Sequence, residues 1–521
     1  MASETIEGMF ERYGPAYRWL AAATCMVGAM TVVLSMTTVN VAFPDIMGAF
    51  GIGRDQAQLL SSGYFAAMTA GMVLSSWLIS IFGERTTYAS MLAIFIFGSA
   101  LSGLANDTET LTFGRLLQGT TAGVIQPLAM AVTFKVFPPA RRGTAMGLFS
   151  MGIVFAPAMG PTLGGIAIEL FNWRYVFLLT VPSAIVAVVM GAVFMPSRSR
   201  PKSLPKFDFV GLGLMVMALL CLMLALSSGQ REGWASDYIV MLFLGGVVAA
   251  LAFLFWESHT PEPLLNLALF RYARFSSAAL IALFSGSVFL TSTFLVPVFV
   301  QQVQGYTPLR AGLLLMPGGL SLLFLFPIAG RISDTVPAHY LIAFGLCSFG
   351  LAFIFLAGTD VNTPFWTFVF YTLFIRVGIA FTSPVVNATA LKALPTELVN
   401  QGSGAINFVR QLGAAFGMNI VVAFLEFRIP FHGDALTATQ TIASGASREM
   451  LGQVGRILSE AGVPEAAQTP GALHYLGEVI YAQASTMGFQ DAFISLSMLA
   501  FFGLIPAWIL YMLRDRRGKA G

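Results

Sequence analysis

The sequence predicts an all-α polytopic membrane protein: two six-helix bundles plus two extra helices, fourteen transmembrane helices in all. Three observations carry that expectation. The 521 residues are 56% apolar and only 10% charged, against roughly 25% charged in a soluble domain, and mean hydropathy is +0.78. A spanning helix needs about 20 mainly apolar residues. Such runs occur fourteen times, at about 18–43, 56–80, 86–106, 110–135, 143–168, 173–196, 207–228, 237–256, 275–303, 308–332, 338–358, 363–391, 401–427 and 489–513. Finally, a shift of 257 residues brings Pro127 onto Pro384, Lys135 onto Lys392, Pro138 onto Pro395, Gly147 onto Gly404 and Gly160 onto Gly417. One register holds across two helices and their loop, as in a chain built of two related halves.

Taken in order, residues 1–17 form a polar, amphipathic tail without the apolar core of a secretory signal. Residues 18–196 hold the first six runs, and 197–257 a linker with the extra pair. Residues 258–513 hold the second six, including a long loop at 428–488, and 514–521 close the chain. Lys and Arg choose the orientation. The tails and alternate loops carry Arg12, Arg85, Arg141, Arg142, Lys202, Arg271, Arg331, Lys392, Arg514 and their neighbours, whereas the opposite short loops hold only Arg54, Arg174, Arg231 and Arg310. Both termini are therefore expected in the cytoplasm and the 428–488 loop outside. Within that loop Met450, Leu451, Val454, Ile457 and Leu458, then Leu473, Leu476 and Ile480, follow helical spacing. Two short amphipathic helices fit, either as a cap on the protein itself or as a docking surface.

Several function classes fall away. There is no GxxxxGK[ST] phosphate loop, and "GIGRDQ" at 51–56 has the wrong spacing for a dinucleotide fingerprint. Cys25, Cys221 and Cys347 are scattered through apolar runs, and the four His lie in connecting segments. Neither a metal site nor a catalytic triad is implied. The expectation is a non-enzyme without cofactor, metal or nucleic-acid partner, embedded in a lipid bilayer and drawing energy from a gradient.

The motif with most physical content is "GIVFAPAMGPTLGG". Gly152, Ala156, Gly160 and Gly164 recur every four residues and form one stripe, which lets another backbone approach closely. Pro157 and Pro161 weaken the hydrogen-bond ladder and bend the helix. The charges pose the other question. Arg115, Arg376 and Arg410 lie within spanning segments, while the nearest acids, Asp45, Asp360 and Glu426, sit at helix ends. An intramembrane Arg costs about 2.5–3.5 kcal/mol on insertion scales. A functional role in a cavity competes with snorkelling or bonding to carbonyls freed at Gly and Pro. Asn40, Gln118, Gln126, Asn387 and Asn407 suit cavity lining and helix–helix glue equally. The 46 Phe and 25 Met fit a greasy, adaptable pocket.

At these motifs the chain resembles the fourteen-helix drug:proton antiporters (EmrB/QacA type) of the major facilitator superfamily. "GPTLGG", ending at Gly165, is similar to the antiporter motif of the fifth helix, and "GRLLQGTTAG" to the fourth-helix signature. "TTVNVAFPDI", "NWRYVFLLTVP", "FVQQVQGYTPLRAGLLLMP", "AGRISD" and "NFVRQLGAAFG" extend the resemblance over nearly the whole chain. It implies that Arg115 is the essential fourth-helix Arg, with Gln118 behind it, and that Gly330 and Asp334 form a cytoplasmic gate. It also implies export of hydrophobic or amphipathic compounds by alternating access, with proton coupling, in a bacterial inner membrane. A periplasmic adaptor would dock through 428–488 and lead to an outer-membrane channel. Two departures stand out. The loop motif G-x-L-x-D reads "SWLIS" in the first half, with Ser76 and Ser80, whereas the second half keeps Gly330, Ile332 and Asp334. In the first helix Ser35 stands where the family usually has an Asp, and Ser does not titrate. Without intramembrane carboxylates, neutral or anionic amphiphiles are expected over permanent cations. A dedicated exporter of a lipid, fatty acid or anionic metabolite, and a non-transporting sensor or scaffold, remain the alternatives.

Overall fold

The computed structural model describes residues 5–197, 206–440 and 445–518. Arg198, Arg200, Lys202 and Lys519 lie outside the described residues, as do the side chains of Asn40, Pro161, Arg514, Arg516 and Arg517. Every regular element among the described residues is helical. In the first half these are α1 (Ile6–Tyr13), α2 (Tyr17–Phe50), α3 (Arg54–Gly103), α4 (Thr108–Val136), α5 (Arg142–Leu170), α6 (Tyr175–Leu178) and α7 (Val181–Phe194). The hairpin α8 (Phe209–Glu232) and α9 (Asp237–His259) follows. The second half comprises α10 (Ala273–Gln302), α11 (Pro308–Thr335), α12 (Ala338–Ala357), α13 (Phe365–Lys392), α14 (Val399–Thr439), α15 (Gly445–Glu460), α16 (Glu465–Phe502) and α17 (Leu504–Gly518).

By length and apolar character, eleven helices among the described residues can cross a bilayer, or twelve if the two arms of α5 count as one span. Those arms, Pro139–Pro157 and Thr162–Leu170, meet at 41°, the bend that paired prolines produce by breaking the ladder. Two more crossings are accommodated without forming separate apolar helices. Within its 50 residues α3 breaks at Gly83, with φ 75° and ψ 168°, a backbone that only glycine adopts without strain. Its two arms flank the same stretch of α4. A Cβ on Gly119 would press on Ala67 of the first arm, and one on Gly114 would lie 2.8 Å from the Gly98 carbonyl of the second. Helix α4, which carries Arg115, is the other. The helices are thus compatible with fourteen crossings.

Elsewhere the local chemistry is ordinary. Asp107 caps α4, accepting from Thr110 N at 2.7 Å and Thr110 Oγ1 at 2.9 Å. Those bonds favour the charged form and hold the exposed carboxyl below the usual range. Helices α14 and α16 run well past the apolar stretches expected to span. Where the sequence suggests a loop with two short helices at 428–488, the structure has the end of α14, α15 and the first half of α16. Arg428 of α14 donates to Asp491 of α16 at 2.6 Å, and His432 lies 2.6 Å from the same oxygen.

One face of the molecule carries both described ends. Trp19 packs on Phe137, Arg85 Nε donates to the Met195 carbonyl, and His339 packs on Tyr511. This terminal face is also where the two halves meet.

Candidate functional site

Three groups of side chains are the candidates: a buried arginine cluster in each half, and the seam between the halves.

In the first half, Arg115 is 1% exposed. Its guanidinium lies 4.1 Å above the Tyr64 ring centroid, a cation–π geometry. Nη1 donates to Gln118 Oε1 at 3.0 Å, to the Ser35 carbonyl at 3.2 Å and to Ser35 Oγ at 3.4 Å, and Nε reaches the Leu60 carbonyl at 3.4 Å. Gln118 in turn donates to Ser99, and Tyr64 Oη donates to the Val32 carbonyl. Nη2 has no partner among the described residues. The sequence-derived trio of Arg115, Gln118 and Ser35 is therefore brought together, with Ser35 against the guanidinium. Arg115 is nevertheless enclosed by α2, α3 and α4 instead of facing an open cavity. Sequence reasoning misses Tyr64 and Ser99. A tyrosine inside an apolar run is the only signal for the first, and none marks the second.

In the second half, Arg376 and Arg410 approach the same turn of α10. Arg376 sits 5.5 Å over the Phe289 ring, and a Cβ on Gly286 would lie 3.0 Å from Arg410 Cγ. Arg410 donates to Asn407 at 3.2 Å and to Asn387. Asn407 also reaches Met130 Sδ of the first half at 3.2 Å. Arg376 Nε and Asn387 Nδ2 are buried without a partner among the described residues. Gln126 joins neither cluster; its amide lies 3.9 Å from Met68 Sδ. Among the described residues, no salt bridge to any of the three arginines is formed.

The seam is built from glycines and one acid. Gly147 of α5 meets Gly330 of α11 backbone to backbone: a Cβ on Gly147 would lie 2.6 Å from the Phe326 carbonyl, and one on Gly330 would lie 2.8 Å from the Gly143 carbonyl. One turn on, Asp334 accepts from Gly143 N at 2.6 Å, Thr144 N at 3.0 Å and Thr144 Oγ1 at 2.6 Å. These are the first amides of α5, so the carboxylate caps a helix of the opposite half and meets its positive end. The related contact joins α14 to α3, where a Cβ on Gly404 would lie 2.9 Å from the Met72 carbonyl and 3.2 Å from Ser75 Oγ. Ser403 donates to the Pro127 carbonyl at 2.6 Å, and Lys135 bridges Glu84 at 3.2 Å and Asn400 at 2.7 Å. These cross-half bonds gather toward the terminal face.

The small-residue stripe of α5 turns to α2, within the same half. A Cβ on Gly160 would run into Thr37, and one on Gly164 would lie 2.8 Å from the Thr38 carbonyl; Gly152 faces Met26 and Met30. Gly165 has open space around it, and Pro157 is half-buried. Helix α5 thus carries two small-residue faces: Gly152, Gly160 and Gly164 on its own bundle, Gly143 and Gly147 on the other.

Comparison with known proteins places this geometry. The family profile "Major Facilitator Superfamily" matches residues 25–208 and 209–418. The chain is 30% identical over 479 residues to the multidrug export protein EmrB of Haemophilus influenzae, covering 91% of each. It is 28% identical over 503 residues to the fatty acid resistance protein FarB of Neisseria gonorrhoeae, covering 95% of this chain and 96% of that one. Among solved structures, the human organic anion transporter MFSD10 superposes with a TM-score of 0.58 at 13% identity, over 93% of this chain and 99% of that one. A likeness at that identity speaks for the fold alone.

Proposed function

The chain belongs to the Major Facilitator Superfamily, with relatives of the drug-efflux type, and on that premise we propose that it exports hydrophobic or amphipathic compounds by alternating access. The observation that carries this reading is the seam. Cross-half hydrogen bonds gather toward the terminal face and rest on bare glycine contacts with a single carboxylate cap, an interface suited to parting and re-forming. The halves 18–196 and 258–513 rock against each other, with the α8–α9 linker of 197–257 outside them. Gly330 and Asp334 gate the terminal face, whose cytoplasmic placement is supported by the Lys and Arg distribution, in a membrane that the resemblance implies is a bacterial inner membrane. The bent α5, through Gly152, Pro157, Gly160, Pro161, Gly164 and Gly165, pivots on α2. Arg115, Gln118, Ser35, Asn40, Gln126, Arg376 and Arg410 serve substrate binding and coupling. The proton gradient drives export, and the projecting ends of α14 and α16 with α15 dock a periplasmic adaptor.

A second reading concerns charge. Arg115 Nη2 and Arg376 Nε are buried donors without partners among the described residues, and leaving such groups unpaired is costly. An anionic headgroup reaching them on opening would satisfy both. The name of the relative FarB, a fatty acid resistance protein, is in keeping with that substrate class. The test is uptake by inside-out proteoliposomes of an anionic and a cationic amphiphile of similar size, with and without a proton gradient. Gradient-dependent uptake favouring the anion is expected, with Arg115→Ala losing about tenfold or more. Equal uptake of both probes rejects the charge reading, and uptake of neither rejects transport.

A further inference from the structure

The root of the α8–α9 hairpin holds two buried carboxylates that the transport machinery does not use. Asp208 is the N-cap of α8. Its Oδ1 accepts from Gly211 N at 2.8 Å and from Trp256 Nε1 at 2.9 Å. Glu257 lies in the last turn of α9, and its Oε2 accepts from Leu265 N at 3.2 Å, in the segment leading to α10. The residues are 6% and 3% exposed. The remaining oxygens, Asp208 Oδ2 and Glu257 Oε1, are buried and have no partner among the described residues. Both face the same bare point of the backbone: a Cβ on Gly211 would run into Asp208 Oδ2 and lie 2.8 Å from Glu257 Oε1.

Two carboxylates that turn their orphan oxygens to one point, out of water, do not both ionise without something between them. Lys206, Glu262 and His259 on neighbouring turns are exposed, with Glu262 accepting from Lys206 N. On the packed helices, Glu84 of α3 is paired with Lys135, and Glu397 ahead of α14 is exposed. No cation is therefore supplied by the described residues. We propose that Asp208 and Glu257 form a one-proton site, in which a carboxyl O–H of one residue donates to the orphan oxygen of the other.

That proton satisfies both unpaired oxygens at once. It ties the first turn of α8 to the last turn of α9 and, through Leu265 N, to the segment that begins the second half. The folded chain holds a proton that the unfolded chain releases in the ordinary carboxyl range. The stabilisation is therefore fully present at acid pH and is lost as pH rises through the pair's own titration.

The test uses the full-length protein in lipid nanodiscs. Thermal unfolding is followed across about pH 6 to pH 9 in potassium or sodium chloride, and infrared spectra are recorded near neutral pH. The wild type should lose about 2 °C in Tm toward the alkaline end and show a protonated-carboxyl band. Glu257→Gln, which mimics the protonated side chain, should flatten the profile and remove the band. Asp208→Asn keeps the N-cap chemistry and should do the same, so a poorly folding Gln variant leaves the test intact. The proposal is overturned if the band survives in both variants, or if both keep the wild-type pH profile. It is also overturned if sodium, but not potassium, stabilises the wild type and neither variant, since the pair would then hold a metal cation.

Discussion

The two contacts that close the terminal face are related by the internal repeat and differ in one group. At α5–α11, Gly147 lies against Gly330 and Asp334 caps the first amides of α5 with three hydrogen bonds. At α3–α14, Gly404 lies against Met72 and Ser75, but Ser80, in the position equivalent to Asp334, donates to its own helix at Trp77 O. Lys135, reaching Glu84 and Asn400, takes over the polar closure there. The same backbone approach is thus fastened by a carboxylate cap on helix amides on one side and by a lysine bridge on the other. On the proposed gating, bare glycine contacts set the geometry of closure and the carboxylate sets its strength.

The largest effect should come from removing the approach itself. Gly147→Leu would drive a side chain into the Phe326 carbonyl and the Gly330 backbone. Overpacking of about 1–3 kcal/mol should all but abolish export, with normal expression and a terminal face that crosslinks poorly across the seam. Next is the cap. Asp334→Ala strands two amides and a hydroxyl, and at about 2 kcal/mol for hydrogen bonds to a charged group the closed state should lose some thirtyfold in population. Asp334→Asn should fall between that variant and the wild type, and a pair of transport rates reads the order. The smallest effect is a gain. Ser80→Asp would place a carboxylate before the first amides of α14, worth up to about 1 kcal/mol. It should slow turnover about fivefold by over-stabilising closure, visible as lower kcat at unchanged expression. Faster transport by this variant would mean that the two contacts do not share one mechanism.

Much of this architecture is legible in the amino-acid sequence. Each crossing is announced by an apolar run, and the frame Gly330–Asp334 against Ser76–Ser80 shows that the two halves differ. Arg115 and Gln118, three residues apart on one helix, have to share a face. Contacts whose partner is backbone, or lies on a distant helix, are not legible. The amides of Gly143 and Thr144 that receive Asp334 have no side-chain signature. The carbonyls of Leu60 and Ser35 that receive Arg115 are in the same position. The stripe of α5 reads as a packing face, but nothing in it selects α2 as the neighbour. The far ends of α14 and α16 read as loop because polarity ends an apolar run without ending a helix, and the Arg428–Asp491 pair that joins them spans 63 positions. Asp208 and Glu257 escape notice because, in sequence, each looks like a charge at a helix end.

The most direct test of the seam is a distance measurement at the terminal face. Spin labels at Ala140, just before α5, and Thr335, at the end of α11, sit on exposed positions on either side of it. In lipid nanodiscs the wild type should give a dominant short distance, and Asp334→Ala should populate a second, longer one, with Ser80→Asp restoring part of the short population. A distribution unchanged by Asp334→Ala would contradict the claim that this carboxylate holds the terminal face closed.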